Sequence, residues 1–173
     1  MPKLLTYSPN IANTQNRMIY AMKKINDKRI CEFVAGELAV SLLRYCKDEG
    51  IIPCECVFTY VPRRKRAIGE FGFDQGYRLA KNLCRICEGD FRSLFVRRGG
   101  KEQKNLGKGQ RKSNAIQSIR LHPKAAEKIK GKKIVLVDDL FTTGETLAGA
   151  ITLLKRAGAV EVYLCCVART YEK

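Results

Sequence analysis

A single histidine, His122, occurs in the 173-residue chain, so a metal centre built from several imidazoles is excluded. No apolar run approaches the ~20 residues of a membrane-spanning helix, and residues 1–7 lack the continuous apolar stretch of a secretion signal, so the expected location is the cytoplasm. Acid is scarce: 17 Asp and Glu stand against 33 Lys and Arg, a net charge of +16. Such a field draws in anions without choosing between nucleic acid, anionic lipid and a small polyphosphate. Internal repeats and low-complexity tracts are also missing. What is present, 45% hydrophobic and 29% charged residues, suits a folded chain, and the length suits one domain spanning 1–173.

Eight cysteines are many for this length. Their placement reads as free thiols in a reducing compartment: Cys165 and Cys166 are adjacent in a strand-like run, and Cys31 and Cys46 fall within a helical pattern. The spacings Cys54-Glu55-Cys56 and Cys84-Arg85-Ile86-Cys87 allow a four-thiolate zinc site in principle. The second pair lies inside an amphipathic pattern, which favours ordinary buried thiols. His122, in a polar Leu-His-Pro turn, is expected at the surface.

Apolar spacing predicts helices over residues 14–24 and 29–47, the latter through Ile30, Phe33, Val34, Leu38, Leu42 and Tyr45. Residues 56–61 form a short β-rich run stopped by Pro62, and Arg63-Arg64-Lys65-Arg66 follows as a basic loop. A helix over 73–88 and a short strand over 93–97 come next. Residues 99–113 form a long, polar, basic segment of the kind that serves as a lid or binding loop. Strand 132–138, helix 145–157 and strand 161–168 then make a βαβ unit, which implies a parallel sheet. The expected division is an N-terminal helical region, 1–55, and a core, 56–173. Phe71, Phe73 and Tyr77 are expected in the core.

Ile134-Val135-Leu136-Val137 reads as a central parallel strand covered on both faces, and it meets Asp138-Asp139. Ligands bind at that edge of open α/β sheets, where paired carboxylates can accept hydrogen bonds from vicinal hydroxyls or orient hydrated Mg2+. The turn Thr142-Thr143-Gly144-Glu145-Thr146 opens a helix directly afterwards. First-turn N–H groups there lack intrahelical partners and the helix dipole is positive, so the turn can cradle a phosphate monoester, with threonine hydroxyls adding bonds. Gly144 permits close approach or positive φ. A threonine cap with solvated acids would account for parts of this string, but not for strand, acid pair, turn and helix together. The turn has no Gly-Lys pair, which excludes a Walker A loop, and no dinucleotide fingerprint is found.

The string from Val135 to Leu147 resembles the phosphoribosyl-pyrophosphate signature of type I phosphoribosyltransferases. A closer resemblance is to the ComF family of competence-associated, phosphoribosyltransferase-like proteins. It is carried further by Val61-Pro62 with the basic residues after it, by Gly72-Phe73-Asp74-Gln75, by Gln103, Leu106, Arg111 and Asn114, and by Val167-Ala168-Arg169-Thr170. It runs from about Tyr7 to Thr170. Members of that family usually begin with a four-cysteine zinc finger, and by this resemblance the chain starts about where such a finger would end.

The resemblance implies the α/β type I phosphoribosyltransferase fold, a central parallel sheet flanked by helices with a small N-terminal helical hood. It also implies site roles. Asp138 and Asp139 would hold the ribose hydroxyls, with Mg2+ held through ligand and water near them and not bound directly. Leu140, Phe141, Thr142, Thr143, Gly144, Glu145 and Thr146 would form the 5′-phosphate loop. Arg63 and Arg64 would clamp pyrophosphate, and Lys104, Lys108 or Arg111, on a closing loop, would join them; a charge run is otherwise a solvated face.

Two functions follow as expectations. One is an enzyme that binds 5-phosphoribosyl-1-pyrophosphate with Mg2+ and passes phosphoribose to a nitrogen acceptor, a base or amine that the hood sequence does not specify. The other is a non-catalytic protein of DNA uptake, contacting single-stranded DNA or a helicase partner through its basic surface, although basic residues without interleaved aromatics offer no stacking platform. A homodimer is left open.

Overall fold

The computed structural model describes residues 3–7, 14–97, 118–142 and 144–170. Five parallel strands form one sheet in the order β1-β7-β6-β2-β3: β1 (Lys3–Tyr7), β2 (Val57–Tyr60), β3 (Asp90–Phe91), β6 (Lys133–Phe141) and β7 (Glu161–Thr170). A separate antiparallel pair joins β4 (Phe95–Arg97) to β5 (Ile119–Leu121). The helices are α1 (Thr14–Lys24), α2 (Lys28–Asp48), α3 (Lys65–Phe71), α4 (Gln75–Ile86), α5 (Ala125–Ile129) and α6 (Glu145–Arg156).

The apolar run of β6 is buried on both faces because its side chains alternate between two cores. Val135 and Val137 join Phe58, Tyr60, Cys165, Val167 and the inner faces of α2 and α4. Ile134 and Leu136 join Val57, Leu94, Phe95 and the inner faces of α5 and α6. Fully burying such side chains contributes ~1.5–3 kcal/mol each, which makes β6 the axis of the fold.

Several expectations are met within a residue or two, and others are corrected. α1 has the expected bounds, and α2 exceeds its expected span by one residue at each end. β6 does not stop at the acid pair: Asp138 pairs with Cys166, Leu140 with Ala168 and Phe141 with Arg169, because β7 runs on to Thr170 beside it. The basic loop is only partly a loop, since Lys65 and Arg66 already lie in α3. The region expected to be only helical supplies β1 to the sheet edge. Phe73 is buried and Phe71 half-buried, but Tyr77 is 36% exposed, meeting Tyr60 and Phe91 edge-on. Phe33, placed on the apolar stripe of α2, faces away from the core at 61% exposure.

All eight cysteines are free thiols. Cys56, Cys84 and Cys87 are buried while Cys54 is exposed, and among the described residues no three His, Cys, Asp or Glu side chains converge as metal ligands. Burial pushes the thiols of Cys56 and Cys87 up, to about 11 and about 12, the opposite of what a thiolate ligand needs. His122 is exposed, as expected. Among the described residues no helix is long and apolar enough to cross a membrane.

Candidate functional site

β2 ends at Tyr60, opposite Val137, while β6 continues past it. Asp138 and Asp139 therefore emerge just beyond the carboxyl end of β2, where Pro62 turns the chain away. From β2 the chain returns to the sheet at β3 on one side, and from β6 it returns at β7 on the other. The acid pair thus sits at the switch point of the sheet, where strands crossing in opposite directions leave a crevice outside their carboxyl ends.

Asp139 is 8% exposed and receives two donors on one oxygen. Gln75 Nε2 donates to its Oδ2 at 2.6 Å, and Lys23 Nζ lies 3.4 Å from the same atom. The Asp139 backbone N–H donates to Asp138 Oδ1 at 2.9 Å, which orients the Asp138 carboxyl against the chain at Asp139. Burial first, and the neighbouring Asp139 carboxylate second, push the Asp138 carboxyl up to about 8; Lys23 and Arg97 act in the other direction. A site that resists its own negative charge in this way favours cations and hydrogen-bond donors as ligands.

Arg97 reaches the crevice from β4. Its Nε donates to the Pro62 carbonyl at 2.7 Å and its Nη1 to Ser118 Oγ at 2.8 Å. Burial and the charge of Arg64 lower its pKa, while Asp138 and Asp74 oppose that shift. Arg97 thus braces the loop after β2 against the crevice floor.

Arg63 is engaged within the protein. Its backbone N–H donates to Asp74 Oδ2 at 2.9 Å, and its guanidinium donates to the carbonyls of Lys23 (3.2 Å) and Phe73 (3.5 Å). The same guanidinium lies 4.6 Å from the Phe71 ring centroid. Arg63 therefore ties together α1, the loop and the start of α4. Arg64, at the N-cap of α3, is exposed. Asp74 caps α4, accepting from the Tyr77 N–H at 3.3 Å, and so fixes both the loop and the helix that carries Gln75. Gly76 lets that helix start close to β2: a Cβ there would lie 3.2 Å from Tyr60 Cδ2.

Beyond the acids, Leu140 and Phe141 remain in β6 and Thr142 is exposed on the bend. Gly144 is the N-cap of α6 at φ 71°. A Cβ there would lie 2.8 Å from Phe141 Cζ, so this turn requires glycine. With no side chain at the N-cap, the first-turn N–H groups near Glu145 and Thr146 remain suited to an anion. The Phe141 carbonyl accepts from Thr170 Oγ1 at 3.2 Å, and the Arg169 guanidinium lies 5.3 Å from the Phe141 ring, so the closing Arg169-Thr170 segment steadies the turn from β7.

The fold thus brings together Asp138, Asp139, Gly144, Glu145 and Thr146 along one strand-to-helix edge, with Arg63 and Arg64 on the adjoining loop. Thr143, Lys104, Lys108 and Arg111 lie outside the described residues, as do Gln103, Leu106 and Asn114. Sequence reasoning missed Lys23 and Arg97. It singled out Gln75 within Gly72-Phe73-Asp74-Gln75 without giving it a role.

The phosphoribosyl transferase domain model matches residues 73–173, which carry the acid pair and the α6 turn. The chain belongs to that family, with the parallel sheet flanked by helices of its type I fold, and the ComF-type resemblance read in its sequence holds. Among curated proteins, DNA utilization protein YhgH of Escherichia coli K12 is 34% identical over 156 residues, covering 88% of this chain and 66% of that protein. The chain thus spans about two thirds of the length of that relative. The ribose-phosphate pyrophosphokinase of Methanosarcina mazei is 49% identical over 39 residues, covering 22% of this chain and 13% of that one. Among solved structures, the purine phosphoribosyltransferase of Pyrococcus horikoshii aligns at 22% identity and a TM-score of 0.44, covering 98% of this chain and 79% of that chain.

Proposed function

We propose that the chain binds 5-phosphoribosyl-1-pyrophosphate and transfers phosphoribose to a nitrogen acceptor with release of pyrophosphate. The observation that carries this reading is the acid pair at the switch point, continuous through Gly144 with the N-terminus of α6. One edge then offers carboxylates to vicinal hydroxyls and backbone N–H groups to a phosphate, at the two ends of a ribose 5-phosphate.

Asp139 and Asp138 accept hydrogen bonds from the ribose hydroxyls. The first turn of α6, with Thr146 beside it, holds the 5′-phosphate. The acceptor nitrogen attacks C1 with inversion, the C1–O bond to pyrophosphate breaks, the electron pair leaves with pyrophosphate, and the proton shed by the acceptor nitrogen passes to solvent. Arg64, exposed on the loop beside the crevice, meets that growing charge, while Arg63 and Arg97 hold the loop in place. Lys104 and Arg111 are the residues we assign to closure over the leaving group.

The residues fit Mg2+. Oxygen donors suit a hard cation, and the raised Asp138 carboxyl marks a place where added positive charge is favourable. Asp139 Oδ2 is already taken by Gln75 and Lys23, so the pair would hold the ion through water and ligand oxygens. Bound there, it would neutralise charge on the departing pyrophosphate.

Calorimetric titration with 5-phosphoribosyl-1-pyrophosphate, with and without Mg2+, tests this reading. Binding in the micromolar range that depends on Mg2+ is expected, and no heat under either condition refutes it. A second reading has its own support in the +16 charge and in the name of the YhgH relative: a non-catalytic role in DNA use, contacting single-stranded DNA or a helicase. A salt-dependent shift of a labelled oligonucleotide, without phosphoribose transfer to any base or amine offered, would favour it.

A further inference from the structure

Gln75 is buried to 7% exposure, yet its amide is only half used. Nε2 donates to Asp139 Oδ2 at 2.6 Å, while Oε1 is buried with no hydrogen-bond partner among the described residues. A residue kept for packing alone would not leave an acceptor orphaned, because a leucine or methionine of similar size fills the volume without that desolvation cost. The donor, moreover, is aimed at one atom of the acid pair. Its backbone is fixed independently: Asp74 caps α4 just ahead of it and Gly76 seats the helix against Tyr60 just after. Lys23 Nζ approaches the same Asp139 oxygen from α1. Two donors from two elements converge on Oδ2, and this fixes the rotation of the carboxylate.

We propose that Gln75 is a positioning residue for ligand binding, holding the Asp139 carboxylate by Oδ2 so that its other oxygen faces the ribose hydroxyls. This rests on the phosphoribosyl-pyrophosphate reading above. Lys23 supports the same oxygen and partly compensates when Gln75 is lost.

Gln75→Leu removes the donor and the orphan acceptor while keeping the volume. Its fold is expected to be kept, as read by circular dichroism, whereas its affinity for 5-phosphoribosyl-1-pyrophosphate in Mg2+ falls by at least about tenfold, as for loss of a hydrogen bond to a charged group. Because Gln75 acts through Asp139, adding Gln75→Leu to Asp139→Asn should weaken binding little further, a non-additivity that a merely structural role would not give. Gln75→Glu, of equal reach but with a carboxylate facing Asp139, is the second variant should the leucine form fail to fold; it is expected to lose affinity by a similar factor. Wild-type affinity in a folded Gln75 variant, or losses that simply multiply in the double variant, would overturn the assignment while leaving the proposed function standing. Absence of binding by the wild-type protein removes both.

Discussion

Asp138 is a residue whose chemistry changes on folding. Its carboxyl is pushed up to about 8 by burial and by Asp139, from an ordinary value near 3.8. Between those two values the folded protein holds a proton that the unfolded chain has released, so stability falls as pH rises through this window. The limiting slope is ~1.4 kcal/mol per pH unit, and the solvent-facing edge of Asp138 keeps the real slope below it. Urea unfolding of the free protein from pH about 4.5 to 8.5 should show this decline, and Asp138→Asn should flatten it and raise stability at the alkaline end. An unchanged slope in the variant would assign the pH dependence to other groups. The same variant should lose affinity for 5-phosphoribosyl-1-pyrophosphate, so stability and binding move in opposite directions.

The strand-to-helix turn depends on one conformational requirement. Gly144 at φ 71° faces the Phe141 ring, so Gly144→Ala meets both backbone strain and a 2.8 Å contact. A loss of about 1–3 kcal/mol is expected in thermal or urea unfolding, together with weaker phosphate binding. This turn was legible because its requirements are local: an apolar run, two acids, small hydroxyl residues and a glycine are all contiguous. α1, α2 and α4 were legible for the same reason, through their helical periodicity, and β7 as a local apolar run. The continuation of β6 through Phe141 was not, because what keeps Leu140 and Phe141 extended is pairing with Ala168 and Arg169, some thirty residues away. α3 was hidden within a charge run. Lys23 and Gln75 meet at Asp139 only after α1 and α4 have packed, a contact that spans 64 positions for Gln75 and leaves no local pattern. Arg64, by contrast, is separable: Arg64→Ala should weaken binding of 5-phosphoribosyl-1-pyrophosphate several-fold and leave ribose 5-phosphate binding unchanged, which parallel titrations would read directly.

The whole molecule carries a field that a small site does not need. A net charge of +16 is spread over the chain, while the crevice itself is centred on two acids. Attraction of a polyanion to the outer surface depends on many exposed Lys and Arg and scales steeply with salt through counterion release. On the proposed function, recognition of phosphoribosyl pyrophosphate depends on the few groups fixed at the switch point. The two should therefore separate. Asp139→Ala or Thr143→Ala should abolish binding of 5-phosphoribosyl-1-pyrophosphate with the fold intact by circular dichroism, and leave any salt-dependent shift of a labelled oligonucleotide unaltered. If both activities disappeared together in a folded variant, the crevice itself would be the nucleic-acid site, and the phosphate-binding end of α6 would be engaging a DNA phosphate in place of a sugar phosphate. If only the small-ligand binding disappeared, the basic exterior would serve either to concentrate an anionic donor near the crevice or to hold a separate polyanionic partner, and titrating wild-type donor binding against salt would decide between these.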